Sequence, residues 1–421
     1  MKPRSVMVVR NSDLSVVIAI PDFRLSLLWP TSFWRSDAKN GGNMHGMGTV
    51  GKAMRAIGLM SGTSLDGIDV AYIETDGEDH VVRGPAMTFP YDREMRQLLN
   101  VAIADAAGVS HRDERPASLP NAERELTERH AVAVSSFLKE KGISRDGVDV
   151  IGFHGQTVLH NPDARLTVQL GLGDRLAAAT GCSVVYDMRA ADVAAGGQGA
   201  PLVPAYHRAL ASAMPARPVC VVNIGGVANV TWIGRDRRLI AFDTGPGNAL
   251  LDDWLSQRAG LDCDADGHVS QRGRADEDIV HSYLSQSYFS APPPKSLDRN
   301  AFVLDAVSGM TPEDGAATLA ALTACAIAKA REHFPEEPGL WIIAGGGRRN
   351  RTIMSMLAGL VQHAVVPAEA AGLDGDSVEA EAWAYLAVRS IKGLPISFPG
   401  TTGVAAPLTG GRRADPASCQ R

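Results

Sequence analysis

One supersecondary unit, present twice, constrains this chain more than any other feature. Residues 54–60 form an apolar run, residues 61–67 are rich in Gly, Ser and Asp, and residues 68–74 alternate apolar with polar. That order predicts a β-hairpin with a small-residue tip. Residues 219–224, the pair Gly225-Gly226 and residues 230–233 repeat it. A lone hairpin is marginal in water and needs further strands or a helix over its apolar face. Two such units, each heading a half-chain, imply two similar layered domains made by internal duplication.

The remaining pattern fits that plan. Helical spacing over 120–141 ends near Gly142, a C-cap signal. Short strands are expected at 148–153, 166–170 and 183–186, with a helix at 174–180. In the second half, helices are expected at 247–257, 276–285, 313–332, 350–362 and 377–392, with a buried strand at 340–344. Strands alternating with helices make the class α/β. The boundaries read as one domain over 54–216, a second over 217–410 after a Pro-rich link at 214–218, and a loose tail over 411–421. Residues 1–53 mix short apolar runs with polar stretches and fit no targeting pattern. They read as a disordered extension, or as a translated stretch ahead of a start at Met44, Met47 or Met54.

Composition narrows the function. Lys plus Arg is 41 against 47 Asp plus Glu, a net charge of −6, so the basic surplus of a nucleic-acid binder is missing. No run reaches the roughly 18–20 apolar residues of a membrane helix, and the apolar stretch 316–328 reads as a buried helix. The five cysteines (182, 220, 263, 325 and 419) lack metal-site spacing and read as thiols of a reducing, cytoplasmic compartment.

Three glycine-rich turns directly follow apolar runs: 61–67, Gly225-Gly226, and Gly345-Gly346-Gly347. Glycine lets backbone amides approach a phosphate, and a helix start after Gly347 adds positive potential. One such turn is more often only a tight turn. Three, two of them in matching positions, favour a nucleotide cleft between the domains. Asp66 and Asp69 would repel phosphate unless a Mg²⁺ ion lay between, held by Asp66 directly or through water; turn completion by the Asp66 side chain is the equal alternative. Residues 187–201 carry Asp187, Arg189, Asp192 and Gln198 on a glycine-rich backbone suited to a hydroxyl-rich ligand. Asp243, before Gly245-Pro246-Gly247, is either a general base fixed at a strand end or the N-cap of the next helix. His154 and His160 lack an acidic partner in register, so ordinary hydrogen bonding and no zinc are expected. The segment 292–296, Pro-Pro-Pro-Lys-Ser, reads as a rigid loop, lid or linker, and Glu379 and Glu381 as a solvated helix face.

Taken together, residues 57–69 (IGLMSGTSLDGID), 154–157 (HGQT), 192–204 (DVAAGGQGAPLVP), 223–226 (NIGG), 242–248 (FDTGPGN) and 294–296 (PKS) resemble the anhydro-N-acetylmuramic acid kinase family. The resemblance spans about residues 55–410 in the family's order. It implies a duplicated actin-like, hexokinase-like (ribonuclease H-like) fold around a central nucleotide and sugar cleft, and a cytoplasmic homodimer. It implies ATP and Mg²⁺ as cofactors and hydrolytic opening of a 1,6-anhydro sugar with phosphorylation at O6. By that resemblance the ATP segment maps onto Gly62, Thr63, Ser64, Leu65, Asp66, Gly67, Ile68 and Asp69, joined by the turns at Gly225-Gly226 and 345–347. The catalytic Asp maps onto Asp243, with Asp192 the runner-up. His154, Gln156, Asp187, Arg189 and Asp192 are the candidates for the sugar. A sugar and ATP are the expected partners, with no nucleic acid and no membrane.

Overall fold

The structure, a computed structural model, describes residues 52–62, 64–214, 218–299 and 301–416, with the backbone of Val6–Asn11 and Leu14–Ala19. The chain divides into two compact units, 1–50 and 51–421. In the first, Val6–Asn11 pairs antiparallel with Leu14–Ala19. Residues 1–5, 12–13 and 20–51 of the expected extension, Thr63, the link residues Pro215, Ala216 and Arg217, and Cys419 lie outside the described residues.

Within 51–421, β1 (Met54–Met60), β2 (Gly67–Thr75) and β3 (Val81–Pro90) form an antiparallel meander. Helices α1 (Arg93–Ala106) and α2 (Leu119–Lys141) follow, then β4 (Val150–Phe153), which pairs parallel with β1. Strands β5 (Gln156–Asn161) and β6 (Leu166–Leu170) make a separate hairpin. After α3 (Gly173–Thr180), β7 (Val184–Tyr186) pairs parallel with β4. Short helices α4 (Ala190–Ala194) and α5 (Pro204–Ala211) end this half.

The second half repeats the order. Strands β8 (Val219–Ile224), β9 (Val227–Ile233) and β10 (Leu239–Pro246) form the meander. Helices α6 (Ala249–Ala259), α7 (Glu277–Leu284), α8 (Ser287–Ser290) and α9 (Pro312–Lys329) intervene. Then β11 (Leu340–Ala344) pairs parallel with β8 and, after α10 (Arg351–Val361), β12 (Ala364–Pro367) pairs parallel with β11. In both sheets the meander's third, second and first strands are followed by the fourth and fifth. Two unrelated halves have no reason to share that mixed order, so the expected duplicated α/β fold is present.

Helices α11 (Val378–Ile391) and α12 (Pro399–Thr402) and strand β13 (Arg412–Ala414) complete the chain. The loose tail expected beyond residue 410 is corrected by β13, which pairs antiparallel with the edge strand β7, Arg412 opposite Tyr186. Three residues, two of them charged, carry no strand pattern; an open sheet edge supplies the pairing.

Helix α11 lies between the two sheets. One apolar cluster joins Ala56 and Val150 of the first sheet, Val221 and Ile342 of the second, and Trp383 and Leu386 of the helix. The approach requires glycine: a Cβ on Gly58 would stand 1.8 Å from the Ala380 carbonyl oxygen, and one on Gly152 2.0 Å from that of Trp383. The solvated face expected of Glu379 and Glu381 is also corrected. Glu381 is buried and accepts hydrogen bonds from Arg83 Nε, the Tyr206 hydroxyl and the Ser377 hydroxyl. Glu379 turns toward the site described next.

A methyl group at Gly152 must push α11 off the sheet. Gly152→Ala is expected to cost roughly 1–3 kcal/mol of unfolding free energy in urea titrations, and Gly142→Ala, with open space around it, is expected to strain only its own left-handed turn.

Candidate active site

The candidate residues leave the two sheets at equivalent places. Ser61 follows β1, His154 follows β4, Asp187 follows β7, Gly225 follows β8 and Gly345 follows β11. These are carboxyl ends of strands, where open α/β sheets form their crevices.

Two kinds of glycine line the turns. A Cβ at Gly345 would meet Asn223 Oδ1 at 2.3 Å and one at Gly347 would meet Ile224 at 2.2 Å, so these two serve packing. Gly225, Gly226 and Gly346 have no protein atom closer than 3.6 Å to a Cβ, and Gly62 none closer than 3.5 Å. At these four the space that a side chain would take is free of protein, so a ligand can come close to the bare backbone. Asn248 ties the turns together, its amide donating to Gly225 O at 2.7 Å and its Nδ2 to Ile224 O at 3.1 Å. The helix expected at 350–362 after Gly347 is present as α10. A 3₁₀ turn intervenes, and α10 has its first amides capped by Asn350 Oδ1, which accepts from Thr352 and Ile353.

In the first turn, Leu65 and Ile68 are buried in the core and anchor the loop. Asp66 is exposed and accepts a 2.9 Å hydrogen bond from the Ser64 hydroxyl. Asp69 accepts from Thr88 at 2.5 Å, and burial, with the charges of Asp66, Asp376 and Asp374 adding to it, raises its pKa. Gly67 packs its backbone against Phe89 O, which would lie 2.5 Å from a Cβ. Among the described residues no group of three or more His, Cys, Asp or Glu could hold a metal. A donor set of one or two carboxylates beside open amides fits a hard cation that takes its other ligands from phosphate and water.

Asp243 lies in β10, beside a bulge that pairs Ala228 with Gly245 and Asn229 with Asp243. The bulge leaves Thr244 unpaired and re-aims its neighbour. Asp243 is not an N-cap, since α6 begins at Ala249 after Asn248. Three contacts hold it: its amide donates to Lys295 O at 3.0 Å, its carbonyl accepts from the Tyr288 hydroxyl at 2.6 Å, and its Oδ2 accepts from the Leu297 amide at 2.8 Å. Burial pushes its pKa to about 7, opposed by the Leu297 amide and the Arg189 charge.

Arg189 is the charge at the centre. Its guanidinium lies 5.2 Å over the Trp383 ring, donates to Gly199 O at 2.9 Å and to His154 Nε2 at 3.2 Å, and feels Glu379, Asp192 and Asp243. Burial lowers its pKa to about 10. Its Nε–H is buried and has no partner. His154 is buried and accepts from Arg189, so its Nδ1 donates to Ser61 O at 3.1 Å. Burial, then the Arg189 charge, drives its pKa well down, so it is neutral. Gln156 stands behind the first turn, donating to Gly62 O at 3.2 Å, with its buried Oε1 unpartnered.

The other candidates have protein partners of their own. Asp187, at φ 58°, pairs with Arg112 and borders a cavity of about 490 Å³ that Arg112, His154, Gln169, Tyr186 and Arg412 also line. Asp192 is buried with both oxygens taken, Oδ1 by the Gly199 amide and Oδ2 by the Thr402 hydroxyl, each at 2.6 Å. Glu379 was missed by sequence reasoning. It accepts from Asn223 Nδ2 at 2.9 Å, and burial raises its pKa against the pull of Arg189. The signal was there: Glu379 and Glu381, two apart on a helix, cannot share one face.

A family model described as anhydro-N-acetylmuramic acid kinase matches residues 54–413. A relative of that name from Nitrobacter winogradskyi is 54% identical over 360 residues, 85% of this chain and 98% of its own. One from Rhizobium etli is 52% identical over 364 residues, 86% of this chain and 98% of its own. Among solved structures, a ROK family glucokinase from Streptomyces griseus, in complex with glucose and AMPPNP, aligns over 79% of this chain and 99% of its own at 14% identity and a TM-score of 0.36.

Because the folded-state pKa of Asp243 is raised, the charged form is disfavoured by folding. Stability is unaffected below the unfolded pKa and is lost as pH rises from about 4 to about 7. Asp243→Asn is therefore expected to raise the unfolding free energy at pH 8 by roughly 2–4 kcal/mol and to change little at pH 4, as read by denaturant titration at the two pH values.

Proposed function

We propose how this chain, which belongs to the anhydro-N-acetylmuramic acid kinase family, divides its reaction among its own residues. The chain is an ATP-dependent kinase that opens the 1,6-anhydro ring of 1,6-anhydro-N-acetylmuramic acid and yields N-acetylmuramic acid 6-phosphate, a step of peptidoglycan recycling. Asp243 is the general base. It takes a proton from a water that attacks C1; the C1–O6 bond breaks, O6 attacks the γ-phosphorus, and ADP departs. The observation that carries this role is an aspartate whose backbone is held by two hydrogen bonds and whose Oδ2 accepts a third from the Leu297 amide, with burial raising its pKa to about 7. A base poised near the working pH is partly deprotonated and still strong enough to accept the proton.

The open amides at Gly62, Gly225, Gly226 and Gly346 receive the phosphates of ATP. That suits a reaction whose charge spreads over the transferring phosphoryl group. Asp66, with Asp69 behind it, would hold Mg²⁺, which supplies electrostatic relief between carboxylate and phosphate when bound. Arg189 offers its unpaired Nε–H to the sugar, and neutral His154 keeps that guanidinium in plane. The lobes 54–216 and 217–410 close over both substrates to exclude bulk water. Among the described residues no helix is long and apolar enough to cross a membrane. The reading extends to a cytoplasmic homodimer, checked by light scattering on the purified protein.

The deciding experiment incubates the enzyme with Mg·ATP and the anhydro sugar in ¹⁸O-labelled water. A sugar phosphate with one ¹⁸O at C1 is expected. Phosphate on a still-anhydro or unlabelled sugar would make the chain a conventional sugar kinase, and no turnover with nucleotide binding intact a regulator. Asp243→Asn is expected to lower kcat by about 10²–10⁴-fold with little change in KM. For the nucleotide side, Gly226→Ala has room inside the protein, so Tm is expected to hold while KM for ATP rises about tenfold or more.

A further inference from the structure

Asp192 was a candidate base, yet neither of its oxygens is free. Oδ1 accepts from the Gly199 amide and Oδ2 from the Thr402 hydroxyl, and the Gly197 amide donates to the Asp192 carbonyl at 2.9 Å. The carboxylate thereby binds the turn at 196–199 to the short helix α12. Glycine is required in that turn: Gly199 has φ 67°, and a Cβ on Gly197 would fall 2.2 Å from Asp192 Oδ1. The Gln198 amide adds a second tie, donating to Thr402 O at 2.6 Å.

The turn carries Gln198 outward. Its side-chain Oε1 accepts a 3.0 Å hydrogen bond from the Ser296 hydroxyl, and its carbonyl meets His160 Nε2 at 2.9 Å. Ser296 is adjacent to Leu297, whose amide donates to Asp243 Oδ2, and to Lys295, whose carbonyl accepts from the Asp243 amide. The segment 292–297 thus touches Asp243 on its backbone and its carboxylate, and Gln198 from outside. Its inner anchorage is separate: Lys295 Nζ donates to Tyr288 O at 2.9 Å and lies over the Phe242 and Tyr288 rings.

We infer that Asp192 is a positioning residue: it fixes the 196–199 turn, whose Gln198 grips Ser296 and so holds the Leu297 amide on the carboxylate of Asp243. The inference rests on Asp243 as the base. The groups facing that carboxylate are Arg189, the Leu297 amide and the Tyr288 phenol, with Glu379 acting on it through Arg189. The amide and Arg189 both favour the charged form. Loosening the amide leaves burial less opposed, so the carboxylate protonates at higher pH.

The test compares Asp192→Asn, Asp192→Ala, Gln198→Ala, Ser296→Ala and Asp243→Asn in kcat, KM and the pH profile of kcat/KM. Asp192→Asn keeps an acceptor for Gly199 and an amide that can donate to Thr402, so its kcat is expected within about threefold of the parent. Ser296→Ala and Gln198→Ala leave the fold's core untouched. Each is expected to lower kcat about tenfold at near-constant KM and to move the acidic limb of the profile upward by about half a pH unit or more. Together they are expected to lose little more than either alone. An Asp192→Asn variant as dead as Asp243→Asn would overturn the inference and make Asp192 a proton-transfer group. An unmoved acidic limb in both Ser296→Ala and Gln198→Ala would overturn it too, whatever becomes of Asp192→Ala if that variant fails to fold. Normal turnover by Asp243→Asn would instead remove the underlying base assignment.

Discussion

The architecture depends on one close approach, that of helix α11 to the backbone of the first sheet at Gly58 and Gly152. Two side-chain-free positions on the parallel neighbours β1 and β4 let the helix carbonyls of Ala380 and Trp383 sit where Cβ atoms would be. The helix then lies deep enough to share a core with the second sheet through Val221 and Ile342. That depth also decides what its other residues do. Trp383 is brought under Arg189 and against His154, with ring centroids 4.5 Å apart, and Glu379 reaches Asn223 on the strand that leads into the Gly225 turn. A helix standing a few ångströms farther out would leave all four groups in water and unconnected.

Sunk into that interface, the ionisable groups are arranged for function at the expense of stability. Arg189 has acidic neighbours on several sides, Glu379, Asp192 and Asp243, and none of them neutralises it within salt-bridge distance among the described residues. Burial moves Asp243 and Glu379 up and Arg189 down, each toward its neutral form. By contrast Glu381, one face of the helix away, is paired with Arg83 and bonded by Tyr206 and Ser377. The two glutamates mark the difference between a buried carboxylate that holds the fold and one left available for work.

This division was only half legible in the sequence. Glycine turns could be read because their chemistry is local: a run of apolar residues followed by Gly and Ser has few conformations open to it, and both hairpins formed where that pattern lay. The roles of Glu379, Glu381 and Asp192 are tertiary. Glu379 and Glu381 stand two apart in an alanine-rich helix, so they cannot share a face, but what each one meets is settled by sheets far away in the chain. Asp192 is separated from Thr402 by most of the second half. Strand β13 and the Asn350 cap fall in the same class, since an edge strand needs its edge and a capped helix start looks like an open one until the cap is seen. Leu65 and Ile68, inside the proposed nucleotide segment, are buried in the core.

The duplicated halves are nearly symmetric in topology and unequal in the residues they bring to the site. Both hairpins present a glycine turn at a strand end, one in each half. Asp243, the proposed base, has no such counterpart: it comes from β10 of the second half, where a bulge lies at Ala228–Asn229 and the Leu297 amide donates to its carboxylate. In the first half the corresponding third strand β3 carries Thr88 toward Asp69 instead. Duplication therefore supplied two glycine turns at once, whereas the setting of Asp243 required a local departure from the repeat. The contact between Ser296 and Gln198 ties that departure back to the other half, joining residues the repeat by itself would not have placed together.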